Sequence, residues 1–114
     1  MHELGTVYYI IKSVERICKD NHLTSVASVT LEIGEVSGIV TNYIIDCWNW
    51  AVKKTTYLKN AKLKIIPIEA VTLCKDCRNT YPTVQYAKIC PYCKSENTCL
   101  LRGNEYNIKE IEAC

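Results

Sequence analysis

No run of apolar residues in this 114-residue chain approaches the length needed to cross a bilayer, which excludes a membrane-spanning helix of ordinary kind. Internal repeats, low-complexity tracts and flexible linkers are lacking too, so the length fits one modest core plus a small appendage. No secretory signal opens the sequence, and the expected compartment is the reducing cytoplasm. A Ser/His/Asp set, a phosphate-binding glycine loop and a carboxylate pair suited to acid–base work are all missing, and no enzymatic activity is expected. Glycine is scarce: there are four, and two of them bound Gly34-Glu35-Val36-Ser37-Gly38.

Cysteine, by contrast, is abundant, with eight in the chain. Four form two tight pairs, Cys74-Lys75-Asp76-Cys77 and Cys90-Pro91-Tyr92-Cys93, separated by twelve residues. Each C-x-x-C turn presents two sulfurs, and the arm between brings the turns together, as a tetrahedral four-thiolate zinc site requires. Four cysteines fill the coordination sphere and leave no position for a reacting water, so this Zn(2+) is read as structural. Two disulfides, or one C-x-x-C redox pair, are the alternatives; paired spacing in a reducing compartment favours metal. The formal charge of +2 falls to zero once four thiolates and Zn(2+) are counted. That, with only a few aromatics in the ribbon (Tyr81, Tyr86 and Tyr92), argues against a broad nucleic-acid surface, although a zinc-ribbon nucleic-acid or transcription module, with Lys75, Arg78, Lys88, Lys94 and Arg102 on phosphates, is the rival reading.

Around this segment the periodicity changes several times. Leu4, Val7, Tyr8, Ile11, Val14 and Cys18 follow one helical face, with Ile10 and Ile17 widening it, and the helix is expected to stop near Asp20-Asn21-His22. From Ser25 the period is two: Val29, Leu31 and Ile33 face a core, and Ser28, Thr30 and Glu32 face water. After the Gly34–Gly38 turn, a second helix over about 41–55 turns Ile44, Ile45, Trp48, Ala51 and Val52 inward and leaves Trp50 at an edge. Lys62 to Glu69 reads as a strand with Pro67 at an edge or exit, parallel to the first by a right-handed crossover. Glu105 to Glu112 reads as a strand returning to that sheet. The expected fold is α+β: two helices on a small mixed three-stranded sheet, formed by residues 1–69 and 104–114, with a four-cysteine zinc-ribbon subdomain inserted at residues 70–103.

The first three residues, Met1-His2-Glu3, carry a second metal chemistry. The terminal amine, the amide nitrogen of residue 2 and the imidazole Nδ1 of His2 close fused chelate rings around one ion, and the amide or carboxylate of Glu3 can complete the plane. Such nitrogen-rich square-planar coordination favours Ni(II) or Cu(II) over zinc.

Taken together, Met1-His2-Glu3 opening a helix, Ile33-Gly34-Glu35-Val36-Ser37-Gly38, the pairs Cys74/Cys77 and Cys90-Pro91-x-Cys93, and Gly103-Asn104-Glu105 resemble the hydrogenase maturation nickel chaperones (HypA/HybF family) over the full length. The resemblance implies nickel on the Met1 amine, His2 and the Glu3 backbone, with zinc on Cys74, Cys77, Cys90 and Cys93. It implies Ni(2+) as cargo passed to a [NiFe]-hydrogenase large-subunit precursor with a GTPase partner (HypB), and it leaves room for urease maturation proteins as clients and for a homodimer. Two departures matter. Val40-Thr41-Asn42 stands where some members carry an acidic residue, so any carboxylate help falls to Glu3 or Glu35. Arg78 and Lys94 stand where ribbons often have glycine, and a left-handed backbone there costs about 1 kcal/mol each. Cys18 and Cys47 read as small buried hydrophobes, Cys99 and Cys114 have no assigned role, and His22 reads as a solvated helix-end residue.

Overall fold

The computed structural model describes residues 3–114, and Met1 and His2 lie outside the described residues. Two compact units emerge, one made of residues 1–31, 39–66 and 107–114, the other of residues 32–38 and 67–106.

In the first unit, helix α1 (Glu3–Asp20) packs on α2 (Thr41–Ala51). Its buried stripe is Val7, Ile10, Ile11, Val14 and Cys18, with Thr6 and Glu3 beneath it. Leu4, Tyr8 and Ile17 sit on the exposed side, so the stripe is rotated from the sequence expectation. Ile10 rather than Tyr8 lies at its centre, since an aliphatic side chain has no hydroxyl to satisfy in a core. Helix α2 tightens into a 3-10 turn over Val52–Lys54, ending earlier than the period alone indicated. Trp48 is fully buried and donates its Nε1–H to the Ala61 carbonyl at 3.0 Å, while Trp50 is half exposed with the Lys54 ammonium 4.0 Å from its ring centre. Trp48→Ala is therefore expected to cost about 3–5 kcal/mol in denaturant titrations of the helical signal, and Trp50→Ala well under half of that.

The sheet runs in the order β2 (Lys62–Ile68), β1 (Val26–Gly34), β6 (Tyr106–Ala113). Backbone bonds from Val26 to the Tyr57 carbonyl and from Glu35 to the Ile68 carbonyl mark β1 and β2 as parallel. Bonds joining Thr24 and Ser25 to Cys114, and Gly34 to Glu105, mark β1 and β6 as antiparallel. The sheet is thus mixed, with Pro67 on an edge strand where a missing N–H does least harm. The expectation of a wet face on β1 fails: Ser28 and Thr30 are buried as well as Val29 and Leu31. A central strand with short side chains is overhung by its neighbours. Glu112 of β6 accepts from the Ser28 hydroxyl at 2.7 Å and from the Lys64 ammonium of β2 at 2.9 Å, so one carboxylate ties all three strands. The Ser28 hydroxyl and Lys64 together hold that carboxyl below its usual range.

The second unit contains an antiparallel sheet, β4-β3-β5, with β3 at Val71–Cys74, β4 at Thr80–Pro82 and β5 at Thr98–Arg102. A one-turn helix α3 (Thr83–Tyr86) follows β4. Strand β3 leads into the segment and β5 leads out beside it, with Val71 opposite Arg102. Their base is tied by two backbone bonds, Gly34 N–H to the Glu105 carbonyl and Val36 N–H to the Gly103 carbonyl, and by one side chain, Glu35 Oε1 accepting from the Ala70 N–H. Gly103 has φ +113°, and a Cβ there would meet the Ala70 Cα at 2.3 Å; a Cβ on Gly34 would meet the Gly103 carbonyl oxygen at 2.1 Å. Both glycines are demanded by this crossing of three segments. Gly103→Ala is expected to destabilise the second unit by about 2 kcal/mol or more, read as faster amide exchange across β3 and β5.

Candidate metal centre

The two C-x-x-C turns are built alike, bond for bond. In the first, the Arg78 N–H donates to the Cys74 carbonyl at 2.9 Å and the Cys74 N–H to the Asn79 carbonyl at 2.9 Å. In the second, the Lys94 N–H donates to the Cys90 carbonyl at 2.9 Å and the Cys90 N–H to the Ser95 carbonyl at 3.0 Å. Each turn reverses through a left-handed residue, Arg78 at φ 67° and Lys94 at φ 64°. These are the two positions where the absence of glycine pointed to strain. The cost of about 1 kcal/mol each is small beside the order of 10 kcal/mol that a structural zinc contributes.

The four sulfurs converge, all lying within 4.8 Å of one another. Cys74 Sγ is 3.5 Å from Cys93 Sγ, and Cys77 Sγ is 3.6 Å from Cys90 Sγ. A tetrahedral Zn–S site with bonds near 2.3 Å has sulfur–sulfur edges of about 3.8 Å, so the donor set fits that ion in chemistry and in size. Polar hydrogens point at the sulfurs as they would at thiolates: Cys77 N–H on Cys74 at 3.5 Å, Tyr92 N–H on Cys90 at 3.4 Å, and the Asn79 side-chain amide on Cys77 at 3.5 Å. The Cys77 N–H, with help from the amide of Asp76, pulls the Cys74 thiol down to about 7. At Cys93 the Ser95 N–H favours the thiolate, yet the neighbouring sulfurs and burial outweigh it and push that thiol up to about 12. Four negative sulfurs cannot share this volume without a cation, and a dication removes the conflict.

Around the sulfurs lies a ring of polar and aromatic support that motif spacing did not reveal. Asp76, inside the first turn, reaches across to the segment after the second, accepting from the Ser95 hydroxyl and from the Asn97 side-chain amide at 3.1 Å. The Ser95 hydroxyl and then Asn97 hold its carboxyl below the usual range. Tyr81 is buried against Cys74 and Cys90, donates its hydroxyl to the Ala87 carbonyl at 2.9 Å, and meets the Tyr86 ring edge-on at 5.9 Å. It is therefore a floor for the sulfurs and not a stacking platform for a base. The only sequence signal for it was a tyrosine alternating into a short strand.

The nickel residues expected from sequence, Met1 and His2, lie outside the described residues. Glu3 is described: it starts α1, is buried, and its Oε2 accepts the Val40 N–H at 2.9 Å. Glu35 Oε1 accepts the Ala70 N–H. Both carboxylates considered for nickel thus serve backbone amides. Cys18 is buried as expected, Cys47 and Cys99 are half-buried and Cys114 is exposed. His22 is exposed at the end of α1 with φ 55°.

Comparison with known proteins gives the same answer three times. Residues 1–113 match the family described as "Hydrogenase/urease nickel incorporation, metallochaperone, hypA". The hydrogenase maturation factor HypA of Trichodesmium erythraeum is 38% identical over 112 residues, covering 98% of this chain and 95% of that protein. That of Actinobacillus succinogenes is 33% identical over 111 residues, covering 97% of each. The solution structure of the Ni metallochaperone HypA from Helicobacter pylori superposes with a TM-score of 0.74 at 26% identity, covering 99% of this chain and 97% of that one. The fold and the four-sulfur centre define a small metal-handling protein of α+β class. The chain belongs to the HypA family of hydrogenase maturation nickel metallochaperones.

Proposed function

We propose that this protein carries Ni(II) at its amino terminus and delivers it during maturation of [NiFe]-hydrogenase, with a structural Zn(2+) held by Cys74, Cys77, Cys90 and Cys93. The protein works as a carrier: a closed four-thiolate centre holds the ribbon of residues 70–103 in shape and leaves reaction chemistry to the client. Nickel ligands are the Met1 amine, His2 and the Glu3 backbone. The observation that carries this reading is the anchoring of Glu3. Its carboxylate is turned inward onto the Val40 amide, which fixes the start of α1 and leaves a ligand role to backbone nitrogen. Helix starts leave their first N–H groups outside the intrahelical pattern, where a deprotonated amide can reach a metal. Residues 1–69 with 104–114 form the nickel-carrying domain. Delivery takes place in the cytoplasm with a GTPase partner (HypB) and the hydrogenase large-subunit precursor, and the family description extends the client range to urease maturation. Metal analysis followed by nickel titration of protein with a native terminus tests both sites together: one zinc per chain that resists nickel, plus one further nickel equivalent, is expected. Nickel displacing zinc from the cysteines, with no second site, would sink the reading.

A further inference from the structure

The four cysteines differ in how they meet solvent. Cys74 and Cys90 have no accessible surface, Cys77 is half-buried, and Cys93 is exposed. Its chain neighbour Tyr92 is also open to water. Of the four ligand residues, Cys93 is therefore the one a reagent approaching the centre meets first. The sulfur in contact behind it belongs to the other turn: Cys74 Sγ lies 3.5 Å from Cys93 Sγ, and Cys77 Sγ pairs likewise with Cys90 Sγ at 3.6 Å. A disulfide needs about 2.05 Å, so rotation of one or both side chains over some 1.5 Å closes either pair.

We propose that Cys93 is a peroxide-reactive modification site and that its oxidation closes a cross-turn disulfide with Cys74, releasing the zinc. The inference rests on the zinc reading of the four cysteines and adds a reaction to it. A hydroperoxide transfers its outer oxygen to the Cys93 thiolate; the O–O bond breaks, the alcohol or water departs, and a sulfenic acid forms, a two-electron oxidation of sulfur. The Cys74 thiolate then attacks the Cys93 sulfur. The S–S bond forms, the S–O bond breaks, and hydroxide leaves as water after taking a proton. Only Cys77 and Cys90 would then remain as thiolate ligands, too few to retain a zinc ion. A second hydroperoxide oxidises Cys77 and Cys90 by the same two steps. Because both bonds run between the turns, the oxidised ribbon keeps Cys74 beside Cys93 and Cys77 beside Cys90, and reduction with fresh zinc restores the centre without a new search for partners.

The test treats zinc-loaded full-length protein with hydrogen peroxide, follows zinc with a chromophoric chelator, and maps disulfides by tandem mass spectrometry after alkylation. Expected is release of zinc at the rate at which the Cys74–Cys93 linkage appears, with recovery on thiol reduction. Linkage within a turn, Cys74 to Cys77 or Cys90 to Cys93, would overturn the proposal, as would oxidation confined to Cys99 or Cys114 with zinc retained. Cys93→His keeps a ligand that zinc accepts but cannot form the linkage, so release should slow roughly tenfold or more; an unchanged rate overturns it. Cys114→Ser removes the exposed thiol outside the centre and should leave the rate as it was, whereas a marked fall would assign the reaction to Cys114. Protein with no zinc before peroxide is added would instead overturn the zinc reading, which separates the two failures.

Discussion

Replacing Cys90 by Ala is expected to empty the zinc site and unfold the ribbon while leaving the helices in place. Cys90 has no accessible surface and packs with Cys74 and Tyr81, so the change removes a ligand and opens the floor beneath the other sulfurs. The strands there are three to five residues long. A sheet that small has little apolar surface to bury, and zinc on the four cysteines would supply the order of 10 kcal/mol that holds it. Amide exchange should rise across residues about 70 to 103. The helical signal should persist, because Val7, Ile10, Val14, Leu31, Ile44 and Trp48 form a core within the first unit that contains no part of the cysteine centre. Loss of most helical signal together with zinc would show that the two units do not fold separately. X-ray absorption on the unaltered protein should report sulfur alone around zinc; an imidazole or oxygen in that shell would contradict the assignment.

Nickel binding is expected to vanish in His2→Ala with zinc retained, and to weaken sharply when one or two residues precede Met1. An extension turns the terminal amine into an ordinary amide and displaces both chelate rings. Affinity should rise with pH, since the amine (about 7.7–8.0 unperturbed) and the imidazole (about 6.5) must lose protons before they coordinate. The binding-competent form is thus scarce at pH 6 and abundant above pH 8. Calorimetry at one pH, comparing the native terminus with a short histidine-free extension, measures this directly. Equal affinities, or undiminished binding in His2→Ala, would move nickel to the cysteines or to His22.

Much of this protein was legible before its structure. The C-x-x-C spacing identified the four converging sulfurs, and the positions after the turns, often glycine in such ribbons, are left-handed here in Arg78 and Lys94 as expected. Periodicity located both long helices and the three strands of the mixed sheet. What it missed follows from the limits of a one-dimensional pattern. Alternation on β1 marked Ser28 and Thr30 as wet, because polarity in sequence does not show that Glu112, 84 residues away, folds over Ser28. The rotation of the α1 stripe was hidden because Tyr8 and Ile10 are both apolar enough to qualify. Asp76 drew no reading of its own, since its partners Ser95 and Asn97 come near only when the two turns close. Strands β3, β4 and β5 are too short for a period to declare itself.

The pairing of β1 with β6 sets an order of events for the chain as it is made. Strand β1 is complete at Gly34, yet the residues that cover its second edge, Tyr106–Ala113, follow the whole ribbon. Contacts within the ribbon span about thirty residues at most, and closing an arm of twelve residues costs roughly 2 kcal/mol in chain entropy. Closing the β1–β6 pair joins residues as much as 90 apart, from Thr24 to Cys114. Local contacts form sooner than distant ones, so the ribbon has its shape while β1 still presents an open edge. During that interval β1 can pair with any extended strand nearby, including β1 of another nascent chain. A ribosome stalled before residue 106 would hold this protein in its most aggregation-prone form, whatever the metal supply.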